Sequence, residues 1–285
     1  MADSTPPEIF DRGRRAAMRS RAASRNAPDD FLWQYMAEEL QERLAIVNRD
    51  FADMLIIGPI ARYATQILGD RNPKITIAAL SPAEAAGDTV ILEEDDLPFA
   101  RESFDLVISA GTLDSVNDLP GSLIQLRRSL KPDGLLLASL FGAGSLAALK
   151  KTMMRADGER ARPHIHPQID LRSAADLVSR AGFALPVADQ DDLDVRYSDW
   201  RRLVSDLRDM GIGNALAGDR HYLGKAYLGR MDEGWSALTE ADQKVTEKFV
   251  FLQLSGWAPS PDQPKPAKRG SGKVSLTSVL SQKAD

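Results

Sequence analysis

The sequence predicts an α/β fold: a parallel sheet with helices on both faces. Three observations predict it. Short apolar runs of strand length alternate with helix-like stretches between residues 54 and 141. Several of these runs are apolar throughout, as in Met54-Leu55-Ile56-Ile57, which suits strands covered on both faces. The chain has 285 residues, 43% hydrophobic and 27% charged, enough for one large α/β domain or two small ones. That composition excludes wholesale disorder and fibrous structure.

The elements follow in order. Residues 12–25 hold Arg12, Arg14, Arg15, Arg19, Arg21 and Arg25 with no acid among them. Such a run suits either a solvated helix face flanking the core or a basic arm that touches a membrane surface, an acidic partner or RNA. After the capping-capable pair Asp29-Asp30, the residues Phe31, Leu32, Tyr35, Met36, Leu40 and Leu44 recur at helical spacing. Strands are expected at 54–57, 74–79, 89–92 and 104–109, with helices near 62–68 and 119–130. Lys131-Pro132-Asp133-Gly134 then turns the chain into a fifth strand at 135–141, and a Lys/Arg/Met-rich helical segment follows. Beyond Gly158 the pattern predicts a helix at 173–180, strands at 183–187 and 193–197, a helix at 199–210 and a last strand near 248–254. The resulting organisation is a basic N-terminal arm (1–28), a main domain (29–257, core about 50–150, second part 158–257) and a Pro/Lys/Gly/Ser-rich flexible tail (258–285).

Composition narrows the function. With no cysteine, disulfides, thiolate metal sites and Cys nucleophiles are excluded. There is no run of about 18 apolar residues to span a membrane, and the N-terminus, with Asp3, Glu8 and Asp11, lacks a secretory signal's apolar core. A net charge of −5 makes nucleic acid an unexpected partner.

Two stretches, Glu94-Asp95-Asp96-Leu97-Pro98-Phe99 running on to Phe104-Asp105-Leu106-Val107-Ile108-Ser109, and Leu126-Arg127-Arg128-Ser129-Leu130-Lys131-Pro132-Asp133-Gly134, resemble the fourth and fifth strand region of class I S-adenosylmethionine-dependent methyltransferases. Further segments narrow the resemblance: Ile9-Phe10-Asp11-Arg12, Pro163-His164-Ile165-His166-Pro167, Arg180-Ala181-Gly182-Phe183, Asp206 to Gly211, Gly256-Trp257 and Lys268-Arg269-Gly270-Ser271. In this order they resemble the complex I (NADH:ubiquinone oxidoreductase) assembly factors, the methyltransferase-like arginine hydroxylases. The resemblance implies a Rossmann-like seven-stranded sheet with extra N-terminal helices and S-adenosylmethionine as cofactor. It also implies a protein client, a respiratory iron–sulfur subunit or assembly intermediate. A bacterial member is expected in the cytoplasm, with peripheral inner-membrane contact through the Arg-rich arm.

The family's cofactor motif is altered. The glycine-rich turn after the first strand reads Gly58-Pro59-Ile60-Ala61-Arg62, with Ile56 in place of the acid, and Ile60 and Arg62 in place of the second and third glycines. A β-branched residue is ill suited to φ > 0, and Ile60 is expected to project where the methionine half of the cofactor lies. Ala79 stands where an acid takes the ribose hydroxyls, a loss of about 1–3 kcal/mol of binding. The resemblance leaves Gly58, Glu93, Glu94 and Ser109 as cofactor-binding candidates, Glu93 being the adenine-contacting acid or simply part of a solvated acidic turn. Asp114-Ser115 replaces a His-Trp pair, removing an aromatic floor. Two readings follow: a client-binding protein with weakened cofactor binding, or an active methyltransferase.

Asp114 and His164 are the candidate catalytic groups, each a general base if it faces the cleft. His164 and His166 have the i, i+2 spacing of metal ligands on an extended segment, but with His221 the only other histidine no metal site is expected. Gly142-Ala143-Gly144-Ser145-Leu146-Ala147 has the form of a dinucleotide turn without the acid that should follow a second strand. Gly211-Ile212-Gly213-Asn214 reads as a helix stop or as an entrance to a substrate cleft. Gly270-Ser271-Gly272-Lys273 is too short for a phosphate loop.

Overall fold

The computed structural model describes residues 8–25, 30–84, 88–159, 162–219 and 222–263. Asp29, His221 and the basic segment 268–273 lie outside them. Two helices, α1 (Arg12–Arg25) and α2 (Phe31–Ala45), precede β1 (Asp53–Ile57), a 3-10 turn over Pro59–Tyr63, α3 (Ala64–Leu68), β2 (Lys74–Ala79) and β3 (Val90–Ile91). The chain continues through β4 (Phe104–Ala110), α4 (Leu119–Ser129), β5 (Leu130–Phe141), α5 (Ala147–Asp157) and α6 (Leu171–Arg180). It closes with β6 (Ala184–Tyr197), α7 (Trp200–Asp209), α8 (Lys225–Ser236) and β7 (Val245–Trp257).

The seven strands form one sheet in the order β3-β2-β1-β4-β5-β7-β6, parallel except for β7. Burial on both faces is visible residue by residue. Met54, Ile56, Leu106, Ile108, Leu135 and Leu137 join one core cluster, while Leu55, Ile57, Val107, Leu136 and Leu140 join the other. The first cluster is covered by α2, α3, α5, α7 and α8, the second by α4 and α6. The strand order reverses between β1 and β4, so a crevice opens at their carboxyl ends, where such sheets place ligands.

Several expectations are corrected. The two strands expected at 183–187 and 193–197 are one, because β7 pairs with β6 from Ala184 to Tyr197. The acids between them are held at the strand's surface, with Asp191 on Arg43 (2.9 Å) and Asp192 on Lys248 (2.8 Å). Asp30 does not cap α2 with its side chain. Its carboxylate accepts instead from Arg62 Nη1 (2.6 Å) and the Tyr63 hydroxyl (2.5 Å). The tail begins tied down rather than flexible: the Ala258 N–H donates to the Gly134 carbonyl, and Gln263 Nε2 reaches both Asp133 Oδ1 and the Ala258 carbonyl.

The Arg-rich run is not a free arm. Arg15 and Arg19 are each only 4% exposed, and α1 lies across the end of β2, with Ser20 Oγ 2.5 Å from Ser81 Oγ. Arg12 and Arg25 are paired with Asp95 and Asp209, and Arg14 with the carbonyls of Leu216 and Gly218. Of the six, only Arg21 is exposed and without a hydrogen-bond or acid partner among the described residues. The run's charge is absorbed by acids and carbonyls of its own domain.

Candidate functional site

At the carboxyl ends of β1 and β4 the turn takes a shape the glycine pattern does not suggest. Gly58 alone has positive φ (+95°), and a Cβ there would lie 2.4 Å from Thr112 Cγ2 and 2.9 Å from the Ala110 carbonyl. After it the chain closes as a 3-10 turn, in which Ile60 keeps an ordinary negative φ and is wholly buried. Ile60 therefore neither strains the backbone nor stands in a cofactor cleft; it packs in the same core cluster as Trp33, Met36 and Ile67. The lost aromatic pair has a partial counterpart in α2. The Trp33 ring lies so close over Gly111 that a Cβ there would be 2.1 Å from Cζ3, and the Arg19 guanidinium stacks 5.3 Å from the ring centre.

The acidic loop after β3 is engaged from within the chain. Arg15 donates to Glu94 from Nη1 (2.7 Å) and Nη2 (2.5 Å), to Glu93 (3.2 Å), to the Thr112 carbonyl (2.7 Å) and, from Nε, to Ser115 Oγ (3.0 Å). These five bonds match the five N–H groups of a guanidinium. Arg12 makes a bidentate pair with Asp95 (2.7 and 2.8 Å), and Arg19 donates to the Gly111 carbonyl. Burial works against the Arg15 cation, but the charge and hydrogen bonds of Glu94 outweigh it and hold its pKa above the ordinary value. Arg19 has the opposite balance: burial lowers its pKa against weaker support from Glu84 and Asp114. Burial likewise raises Glu93, opposed by Arg15. Ser109 is fully buried, its Oγ 3.1 Å from Thr112 Oγ1, and Ala79 is 3% exposed.

The open space lies on the other side of β4. A cleft of about 650 Å³ is walled by Phe141, Leu149 and Phe249, the 163–168 segment, the end of α7 and the 212–219 loop. Both candidate catalytic residues line it. Asp114 Oδ1 is buried, without a hydrogen-bond partner among the described residues. His164 Nε2 lies 2.9 and 3.0 Å from the two oxygens of Asp157, whose side chain is 1% exposed. That pairing holds the imidazole through Nε2. The Tyr227 hydroxyl is 3.3 Å from Nε2, its pKa pushed up to about 12 by burial and by Asp157. His166 is engaged separately: the Ala215 N–H donates to its Nε2 (2.9 Å), its ring meets Phe10 edge-on, and burial lowers its pKa. The two histidines thus serve different partners, and no group of three or more His, Asp or Glu side chains converges among the described residues.

The structure therefore separates the candidates into two places. Gly58, Glu93, Glu94 and Ser109 gather under α1, whereas Asp114 and His164 face the cleft. Asp114 and Ser115 mark the boundary, the first facing the cleft and the second holding Arg15. The 142–147 turn is filled by the chain itself, because the buried Glu247 carboxylate takes the Ala148 and Leu149 amides (3.0 and 2.8 Å) at the start of α5. Gly211 (φ +73°) caps α7, with the Ile212 amide on the Leu207 carbonyl, as the helix-stop reading expects, and Ile212 to Asn214 line the cleft.

Comparison with known proteins bears on these arrangements. A methyltransferase domain model matches residues 60–138. The mouse protein named arginine-hydroxylase NDUFAF5, mitochondrial, is 31% identical, over 96% of this chain and 85% of its own length. The chain belongs to the NDUFAF5 family. It is also 28% identical to a malonyl-[acyl-carrier protein] O-methyltransferase of Gallionella capsiferriformans, over 85% of this chain and 89% of that one. A putative methyltransferase structure from Bacillus halodurans shares the fold at a TM-score of 0.54, with 13% identity, over 79% of this chain and 99% of that one. The chain is thus a member of the S-adenosylmethionine-dependent methyltransferase superfamily. Among the described residues no helix is long and apolar enough to cross a membrane.

Within this family member, the residues that sequence reasoning missed are Arg12, Arg15 and Arg19, which close over the acidic loop, and Asp157 with Tyr227, which hold His164. The arginines carried a readable signal. Arg12, Arg15 and Arg19 are spaced i, i+3, i+7, one face of a helix, and the chain has an acidic run, Glu93 to Asp96, for that face to meet. Asp157 and Tyr227 carried none, because their meeting depends on how α5 and α8 pack.

Proposed function

We propose that this protein is a client-binding member of its family. It takes an arginine-bearing segment of a partner protein into the cleft beside Asp114, and its adenosyl site is closed by α1. The carrying observation is that the acceptors the resemblance assigns to the cofactor are consumed by Arg15 while the cleft stays open. The residues do not fit S-adenosylmethionine. Ribose has no acid at Ala79, Glu93 is held by two arginines, and the turn after Gly58 is folded into the core. What supports this reading is a cleft with apolar walls for the methylenes of an arginine and the Asp114 carboxylate on its lining. The name of the mouse relative, arginine-hydroxylase, favours an arginine-bearing client; with the resemblance to complex I assembly factors, the proposed client is a respiratory iron–sulfur subunit or assembly intermediate, met in the cytoplasm near the inner membrane.

The test is equilibrium binding of a short peptide with one central arginine. Binding is expected to be unchanged by S-adenosylmethionine, and to be lost when citrulline replaces the arginine or in Asp114→Ala. Absence of binding, or binding only with the cofactor present, overturns the proposal. The methyltransferase domain match over residues 60–138 favours a second reading, an active methyltransferase acting on a protein or small molecule, in which α1 moves off the acidic loop before the cofactor enters.

A further inference from the structure

One side of the cleft's mouth is basic. On α5, Lys150, Lys151 and Arg155 are exposed on one face and line a smaller depression that shares Ser145 and Gln168 with the cleft. Arg162 and Arg208 stand on the cleft's own wall. None of these five side chains has an acid or hydrogen-bond partner among the described residues, although the molecule as a whole carries a net charge of −5. Other basic groups, Arg12, Arg15, Arg43 and Lys248 among them, are paired with neighbouring acids. The amides at the start of α5 play no part, since Glu247 occupies them.

Two acids share this lining with the arginines: the half-buried Asp114 and the exposed Asp219. A uniformly negative surface, such as a bilayer or a nucleic-acid backbone, would set phosphate against these two acids, and a bilayer does not enter a concave cleft. A chain with a cation between anions fits both zones. From Lys150 to Arg155 is about 7.5 Å of helix, the span of two to three residues of extended chain.

We infer that the Lys150–Lys151–Arg155 rim is a docking surface for the acidic flank of the client, so that the preferred ligand is a protein segment with Asp or Glu within a few residues of its arginine. This rests on the cleft reading above and adds the sequence class of the partner.

Fluorescence anisotropy with three short peptides tests it: an arginine with two aspartates on one side, in either order; the same with serines; and the aspartate peptide with citrulline. The aspartate-flanked arginine should bind about tenfold tighter than the serine-flanked one, the scale of a few exposed charge pairs. That preference should vanish in K150E/K151E/R155E and shrink steeply with salt, while serine-peptide affinity is unchanged by the reversal. Three exposed side chains are altered, so folding is preserved, and the salt titration on the natural chain gives an independent readout. Equal affinity for both flanks, or a preference that survives the reversal, overturns the inference. So does reversal-sensitive binding to phosphatidylglycerol vesicles without a peptide preference, which makes the rim a membrane surface. An acid preference that persists with citrulline upholds the rim and overturns the arginine reading alone.

Discussion

Arg15 and Glu94 meet in a doubly hydrogen-bonded pair, 2.7 and 2.5 Å, with side chains 5% and 0% exposed. One residue comes from the first helix and the other from the loop after β3, so a single contact fastens the N-terminal segment over the carboxyl ends of the central strands. The same segment also holds the cleft. Asp11 and Ile9 pair with Ala215 and Ala217, Asn117 brackets Phe10, and Arg14 caps the 216–218 carbonyls. Engagement of the acidic loop and the shape of the cleft are thus set by one stretch of chain.

Removing one partner of that pair should be costly. Arg15→Met leaves a buried carboxylate uncompensated and is expected to lower stability by about 3–5 kcal/mol. Arg15→Met with Glu94→Met should cost less than the sum of the single changes, as read from urea midpoints in a double-mutant cycle. Additive, sub-kilocalorie losses would show that the pair does not hold α1 down.

Restoring the family's glycine should not restore the cofactor site. Ile60 is completely buried, so Ile60→Gly removes a core side chain and loosens the turn, at a cost of about 3–5 kcal/mol. Chemical denaturation is expected to show this loss, with no S-adenosylmethionine binding gained. A variant that binds the cofactor at unchanged stability would return Ile60 to the place the sequence first suggested.

His166 should make stability depend on pH. Burial holds its folded pKa below the ordinary value, and its Nε2 accepts from the Ala215 amide only when unprotonated. Its contribution is therefore present above the unfolded pKa of about 6.5 and is lost as pH falls through that value towards the folded one. Compared with His166→Asn, which keeps an acceptor and does not titrate, the natural protein should lose relative stability between pH 7.5 and pH 5.5. A stability gap that stays constant over that interval would mean the ring is free to protonate in the folded state.

The sheet was largely readable because β1, β4 and β5 are buried on both faces and leave uninterrupted apolar runs such as Leu55-Ile56-Ile57 and Leu135-Leu136-Leu137. β6 was not. Its middle, Asp189 to Asp194, is polar because it lies at the sheet edge, and it stays a strand through its pairing with β7. α8 went unseen because Tyr227, Met231 and Trp235, spaced by four, are its only fully buried apolar side chains. At the site, Asp114 and His164 were legible as chemistry-bearing residues and both reach the cleft. The sense of the Arg-rich run was not legible, because solvated and buried arginines look alike until the acids they meet are placed. The altered glycine turn was visible, but its consequence was not: local strain at Ile60 was avoided by a change of turn type rather than borne.

Calorimetric titration of the full chain with S-adenosylmethionine and S-adenosylhomocysteine reads whether α1 closes the adenosyl site. With the site closed, no binding heat is expected up to millimolar ligand, an affinity weaker than about −4 kcal/mol. Micromolar binding, about −8 kcal/mol, would contradict it and show that Arg15 gives up Glu93 and Glu94 to the cofactor.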